Sequence, residues 1–179
     1  MTKQTPEQRA ARRRQRMIDK AREYQVGTYS RKFVAPVFQQ MIRAEAAALL
    51  CGGSPAIVDG DLSFVQRLVG ECVCITCGKV HPWKGGVDRF SGMHTGHYLA
   101  SRRNSILFEE DNVAPQCSHC NYQNGGEQQL FSKWMLAVRG IETIERLEAL
   151  KRTVVVFSRD ELVDMRISFA DRLKQTGLT

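Results

Sequence analysis

Two pairs of cysteines give this sequence its clearest chemical signal. Each pair has the spacing Cys-x-x-Cys, and Gly78 follows the first pair at a point where such a turn favours a positive φ. The spacing lets one tight turn present two thiolates to a metal ion at about 2.3 Å, and two such turns complete a tetrahedron. We therefore predict one structural Zn²⁺, bound by Cys74, Cys77, Cys117 and Cys120.

Disulfides and redox chemistry are the alternatives for the same cysteines. The basic start of the chain is not followed by an apolar secretion signal, which argues against an oxidising compartment. A single redox-active pair is possible, but two pairs in one chain favour a metal. Cys72 and Cys51 are left over, and we interpret both as packing residues, with Cys72 as an alternative ligand.

The 39 residues between the two cysteine pairs carry further polar residues. His94 and His97 stand three residues apart, Asn112 follows 15 residues after His97, and Asn121 comes directly after the second pair. In this order the residues resemble the HNH, or ββα-metal, nucleases. That resemblance implies a β-hairpin that carries a general-base histidine and a following helix that supplies a metal ligand.

The wider pattern is similar to that of the NinG/Rap family, phage recombination endonucleases that act on branched DNA such as Holliday junctions. A more distant resemblance is to phage endonuclease VII, a junction resolvase with a zinc-bound cysteine pair. His94 is a departure, because the family typically has an aspartate there and an imidazole is a softer ligand than a carboxylate. The similarity runs from about Phe64 to the C-terminus and rests on Cys74-Ile75-x-Cys77-Gly78, Gly96-His97-Tyr98 and Asn112-x-x-x-Gln116-Cys117-x-x-Cys120-Asn121.

The resemblance implies an active site built around one histidine and one divalent cation. His97 would be the general base, because an imidazole with a pKa of about 6.5 is available at neutral pH. Asn112 would hold the histidine's loop by hydrogen bonds. His94 and Asn121 would bind one Mg²⁺ or Mn²⁺, whose few protein ligands leave positions for phosphate and water.

Two arginines follow the histidine segment. Arg102 and Arg103 would clamp the scissile phosphate, since a guanidinium binds it through two hydrogen bonds. Each role has a plainer alternative: His97 as a structural histidine, Asn112 as a turn residue, and the two arginines as solvated surface charges. His81 and His119 are assigned no role.

Positive charge is concentrated at one end of the chain. Residues 1–43 contain 11 lysines and arginines and 3 acidic residues, whereas the remaining 136 residues have a net charge of −1. Such an end favours a polyanionic partner, although a charged helix can also be simply solvated. We predict that DNA contacts this end through Arg9, Arg12, Arg13, Arg14 and Arg16, in addition to Arg102 and Arg103.

The elements that must position these residues are predicted to form an α+β fold. A small zinc-clamped ββα-metal, or HNH-like, core would lie between helical segments. We divide the chain into a basic N-terminal arm at residues 1–30, a helical segment at 31–70, the core at 71–127 and a C-terminal helical segment at 128–179.

Local patterns predict the helices. The first runs from Pro6 to Tyr24 and is so polar that it would be frayed or ordered by a partner. A break follows at 27–30, a second helix starts at Pro36, and 64–69 give one more amphipathic stretch. Ser158 begins a capping box that opens the last helix.

Composition narrows the function classes. The chain has 179 residues, of which 42% are hydrophobic and 25% charged, and its longest apolar run is too short to span a bilayer. We therefore expect an intracellular globular protein, in the cytoplasm of a bacterial host if phage-encoded.

Three functions remain open. The first is a metal-dependent endonuclease that cleaves branched DNA, acting as a homodimer as the family resemblance implies. The second is an HNH nicking endonuclease without branch preference, and the third is a non-catalytic zinc-containing DNA-binding or recombination-accessory module. His97 and Asn121 favour catalysis, because a binding module needs neither.

Overall fold

The computed structural model describes residues 4–48, 53–85, 91–99 and 104–178. Within these ranges the chain is a mixed α+β protein, as predicted, with six strands paired into three two-stranded antiparallel sheets. The strands are β1 (Ser54–Val58), β2 (Asp61–Val65), β3 (Glu71–Val73), β4 (Val80–Pro82), β5 (Met93–His97) and β6 (Val113–Cys117). The α-helices are α1 (Pro6–Arg22), α2 (Val26–Tyr29), α3 (Ala35–Ala48), α4 (Asn104–Leu107), α5 (Gln128–Val138), α6 (Ile141–Lys151) and α7 (Arg159–Gln175).

Helix α1 is ordered by contacts within the chain. Its N-terminus is fixed by a capping box between Thr5 and Gln8, and its buried residues are Ile18 and Ala21. These two side chains join an apolar cluster with residues of α3 and α7, such as Phe38. The surface that orders this polar helix is therefore α7 of the same chain.

The predicted break at 27–30 is wrong. Helix α2 passes into a π-helical turn (Ser30–Val34), which continues directly into α3. Pro36 lies near the start of α3 and has no N–H to donate to a residue four positions earlier. The wider π-helical turn, closed by the Ala35 N–H donating to the Ser30 carbonyl, lies immediately before this proline. The chain thus keeps a helical course across the predicted boundary.

The expected helical stretch at 64–69 is also wrong. Strands β1 and β2 form a hairpin in register from Ser54 opposite Val65 to Val58 opposite Asp61. Its two-residue loop is Asp59-Gly60, with φ values of 51° and 90°. An Asp-Gly loop accepts positive φ at both positions and matches the twist of a hairpin.

The central strands bring the two cysteine pairs together. Strands β3 and β4 flank the first pair, and β6 ends at Cys117, the first cysteine of the second pair. Strand β5 pairs with β6, placing His94 opposite Gln116 and His97 opposite Val113. A π-helical turn, residues 119–123, follows β6, and the next α-helix begins only at Gln128. The assignment of this region to a ββα-metal core stays a prediction.

The C-terminal helices close the core from two sides. Helices α5 and α6 bury Phe131 and Leu147 against β1 and β6. Helix α7 begins with the predicted capping box between Ser158 and Glu161, which is confirmed, and it packs on α1 and α3. None of the helices among the described residues is both long enough and apolar enough to cross a membrane.

Candidate functional site

The four predicted cysteines lie together. Their sulfur atoms are all within 4.8 Å of one another, and Cys77 Sγ is 3.8 Å from Cys117 Sγ. Four sulfurs bound at about 2.3 Å to one tetrahedral ion are separated by about 3.8 Å. The predicted grouping of Cys74, Cys77, Cys117 and Cys120 is confirmed, and its geometry fits one Zn²⁺.

Backbone hydrogen bonds build the first cysteine turn. The Gly78 N–H donates to the Cys74 carbonyl at 2.9 Å, and the Cys74 N–H donates to the Lys79 carbonyl at 2.8 Å. Gly78 has φ 70°, and a Cβ there would lie 2.7 Å from a methyl group of Val58. The Ile75 N–H donates to the Pro115 carbonyl at 3.0 Å, which ties this turn to β6. The sequence therefore specifies the turn through glycine and through its attachment to the neighbouring strand.

The thiols differ in their acidity. Hydrogen bonds from Cys117 and Cys77 lower the pKa of the Cys74 thiol, whereas burial raises the pKa of Cys120 to about 12. Thiolates are the metal-binding form, so zinc binding would release protons from this cluster. Cys72 lies outside the cluster, its pKa raised to about 12 by burial, and its thiol donates to the Arg43 carbonyl at 3.1 Å. Its interpretation as a packing residue is confirmed.

A cleft of about 590 Å³ lies beside the second cysteine turn. Both His97 at the end of β5 and Asn121 of the π-helical turn line it, and Gly125 and Gly126 form part of the wall. His94 adjoins this cleft, since its Nδ1 atom lies 3.3 Å from Nδ2 of Asn121. The structure therefore brings the predicted general base and the two predicted cation ligands into one region.

Burial controls the charge of both histidines. It lowers the pKa of His97, and for His94 burial and the positive charge of Arg43 lower the pKa together. Both shifts favour neutral imidazole, which can accept a proton or bind a metal ion. Arg43 itself donates to the Trp83 carbonyl and to Thr95 Oγ1, and it has no carboxylate partner within the described residues.

Asn112 is fully buried and joins three parts of the loop that follows β5. Its Oδ1 accepts from the Leu99 N–H at 2.8 Å, and its Nδ2 donates to the Leu99 and Ile106 carbonyls at 3.3 Å. Its own carbonyl accepts from the Tyr98 N–H at 2.8 Å. These bonds fix the chain immediately after His97.

Gln116 connects the cysteine cluster to the cleft. Its Nε2 donates to Thr76 Oγ1 at 3.1 Å and to the Gly126 carbonyl at 2.8 Å. Thr76 Oγ1 in turn lies 3.4 Å from Cys74 Sγ. The buried amide crosses β5 at Gly96, where a Cβ would lie only 2.1 Å from Gln116 Oε1. Glycine is therefore required at this position for the connection to form.

Two residues that sequence reasoning missed also line the cleft. Ser30 and Arg31 reach it from the π-helical turn between α2 and α3, more than 60 positions before His97. Ser30 Oγ is buried and has no hydrogen-bond partner within the described residues. The only sequence signal for Arg31 was its place in the basic N-terminal region.

Other predicted residues lie elsewhere. Arg102, Arg103 and Cys51 are outside the described residues, although Asn104 lines the cleft. The exposed His119 ring bonds to Gln123 and lies outside the cysteine cluster, as does His81. The five predicted DNA-binding arginines belong to α1, which contributes no residue to the lining of the cleft.

Fold and site together define a mixed α+β protein with a four-cysteine, zinc-compatible centre beside a histidine- and asparagine-lined cleft. The model of the bacteriophage lambda NinG protein family matches residues 63–177, and the chain belongs to this recombination-associated phage family. No curated protein and no solved structure matches the chain. The NinG resemblance is thus confirmed, whereas the HNH or endonuclease VII-like subtype stays a prediction.

Proposed function

We propose that this protein is a metal-dependent endonuclease that hydrolyses phosphodiester bonds in branched DNA during phage recombination. The observation that carries the proposal is the shared cleft of His97 and Asn121 beside the cysteine cluster. A zinc-binding module without catalysis would not require a partly buried histidine, with a lowered pKa, in an open cleft. Membership of the NinG family supports a role in recombination.

His97 is the proposed general base. Hydrolysis requires a water molecule that loses its proton as it attacks in line with the leaving 3′ oxygen. Burial lowers the pKa of His97, which favours the neutral imidazole at pH 7, and a neutral imidazole has an unprotonated nitrogen that can accept that proton. Asn112 acts as a positioning residue, since its three side-chain hydrogen bonds fix the loop that follows His97.

His94 and Asn121 are the proposed ligands of a Mg²⁺ or Mn²⁺ ion. Two adjacent ligands of an octahedral cation, each at about 2.1 Å, are about 3 Å apart. The 3.3 Å between the two side chains fits that requirement. A rotation of the Asn121 amide exchanges Nδ2 for Oδ1 at this position and so presents an oxygen ligand to the cation. The bound cation would offset the charge that develops on the phosphate.

Arg31 supplies positive charge to the same cleft. Its Nε donates to the Gly27 carbonyl at 3.1 Å, and no carboxylate lies within ion-pair distance of it among the described residues. The remaining guanidinium N–H groups are therefore available to a phosphate oxygen. Arg102 and Arg103 are proposed to contact the same phosphate.

The substrate assay is a comparison of four-way junction with linear duplex of the same sequence, with Mg²⁺ or Mn²⁺ added. Faster cleavage of the junction supports the proposal, and we further propose that a homodimer cuts the paired strands. Equal cleavage of both substrates would indicate an HNH nicking endonuclease without branch preference. Binding without cleavage of either would indicate a non-catalytic recombination-accessory module and overturn the proposal.

A further inference from the structure

A basic groove lies between α1 and α7, apart from the cleft that contains His97. A groove of about 530 Å³ is lined there by five arginines and, among the described residues, by no acidic side chain. Apolar side chains of α1 and α3, Met17 and Val37, contribute to its lining. The arginines are Arg9, Arg12, Arg13, Arg16 and Arg166.

The helical period separates two sets of arginines on α1. One set lies on the same side of the helix as Arg9, because its members follow that residue by three, four and seven positions. This set lines the groove and consists of Arg12, Arg13 and Arg16. Arg14 is instead held by α7, through two hydrogen bonds of 2.6 and 2.8 Å to Asp164. Arg13 is likewise paired, with Asp171 at 3.1 Å. Within the described residues, Arg12 and Arg16 have no carboxylate partner.

Arg166 brings a further unpaired cation from α7. Its guanidinium carbon lies 5.9 Å from the centre of the Phe33 ring, so the side chain stacks on an aromatic face. Its Nε atom is buried and has no hydrogen-bond partner among the described residues. A buried N–H without an acceptor is costly unless a ligand supplies the acceptor. Four arginines that have no carboxylate partner among the described residues therefore line one groove (Arg9, Arg12, Arg16 and Arg166), and the Nε–H of the last has no acceptor there.

We propose that this groove binds a phosphodiester of the DNA substrate through Arg9, Arg12, Arg16 and Arg166. A phosphate supplies several oxygen acceptors and negative charge to guanidinium groups that otherwise repel one another. The groove is open to solvent along exposed α1 residues, as a long polyanion requires. The inference rests on the proposed function only for the identity of the polyanion. It assigns α1 residues Arg13 and Arg14 to the attachment of the helix, not to DNA contact.

The test compares two double variants of the full, zinc-loaded chain that remove the same charge from the same helix. Arg12→Gln with Arg16→Gln removes two exposed groove arginines, whereas Lys20→Gln with Arg22→Gln removes two cations that pair locally, with Glu23 and Asp19, and do not line the groove. Affinity for a labelled four-way junction is measured by fluorescence anisotropy at about 50 to 200 mM salt. No Mg²⁺ or Mn²⁺ is added, so the result does not depend on cleavage.

The groove variant should make the negative slope of log affinity against log salt shallower by about 0.9, the equivalent of one phosphate contact, and weaken binding roughly tenfold at the lowest salt. The control should retain the wild-type slope. Arg166→Gln, a single change on α7, should also weaken junction binding and make its salt dependence shallower. Circular dichroism and zinc content establish that each variant is folded.

Three outcomes would overturn the proposal. Equal losses in both double variants would mean that only net charge matters, and unchanged slopes would mean that the groove does not contact DNA. If inorganic phosphate raises the melting temperature of the wild type but not of the groove variant, while DNA binding is unchanged, the groove binds a free anion. A fourth outcome separates the two proposals. If the groove variant has a shallower salt dependence of DNA binding but the wild type never cleaves DNA, the proposed catalysis is refuted and the groove assignment stands.

Discussion

Replacing Asn112 with alanine removes three hydrogen bonds inside the protein. The side chain is fully buried, and it satisfies the N–H and carbonyl of Leu99 and the carbonyl of Ile106. Each buried hydrogen bond contributes about 1 kcal/mol net, and the partners left behind are stranded away from water. We therefore expect Asn112→Ala to lower the free energy of unfolding by about 3 kcal/mol.

This change is measured by denaturant unfolding of the zinc-loaded protein, as a lower midpoint concentration at an unchanged m-value. Asn124→Ala is the matched control, because among the described residues that exposed side chain bonds to the surface side chains of Glu127 and His119, and such a change is expected to fall within about 0.5 kcal/mol. A loss below about 1 kcal/mol for Asn112→Ala would show that this residue does not fix the loop after His97. The account of its positioning role would then be wrong.

Three further perturbations test the centre and the cleft. Cys120→Ser should abolish zinc binding and lower stability by several kcal/mol, because the zinc-binding free energy of a structural site contributes to folding; elemental analysis and unfolding measure both. Gly96→Ala should destabilise by about 1–3 kcal/mol, because its Cβ would overlap Gln116 Oε1. Denaturant midpoints should show part of that loss recovered when Gln116→Ala is added. Because the pKa of His97 is lowered, its imidazole stays neutral as the pH falls through about 6.5, so the acid limb of the pH–rate profile should lie below that value. Activity should be lost when folded His97 is protonated, whereas stability should already decline as the pH falls from about 6.5 towards that lowered pKa, because the unfolded chain binds the proton first.

The cysteine cluster was predictable because its signal is local. Two residues between paired cysteines fix the turn that each pair forms, whatever the rest of the fold does. The capping box at Ser158 is equally local and was also predicted. The long segment between the pairs did not obscure this prediction, because β5 and β6 form a hairpin that returns the chain to the first pair.

The hairpin of β1 and β2 was missed for a physical reason. The helical interpretation assumed that Phe64 and Leu68 face a core, but their side chains are 69% and 72% exposed. Apolar residues at helical spacing predict a helix only when their side chains are buried on one face. Asp59-Gly60 was the better signal, since this dipeptide favours a two-residue hairpin loop.

Residues that meet only in the tertiary structure could not be predicted. Arg31 joins His97 in the cleft, and Arg166 joins the α1 arginines, through packing between elements far apart in sequence. The prediction from sequence also gave all five α1 arginines the same role in DNA binding. Their separation into acid-paired and unpaired groups depends on where Asp164 and Asp171 of α7 lie.

The most direct test of the central claim is cleavage of a four-way junction by His97→Ala, compared with the wild type and with His119→Ala. All three proteins are assayed with Mg²⁺ or Mn²⁺ at equal zinc content. The loss of a positioned general base should lower the rate by about 10²–10⁴-fold, with junction affinity unchanged. Among the described residues, the exposed His119 ring bonds to the neighbouring surface side chains of Gln123 and Asn124, so its replacement should leave the rate near that of the wild type. A wild-type rate in His97→Ala would contradict the proposed mechanism.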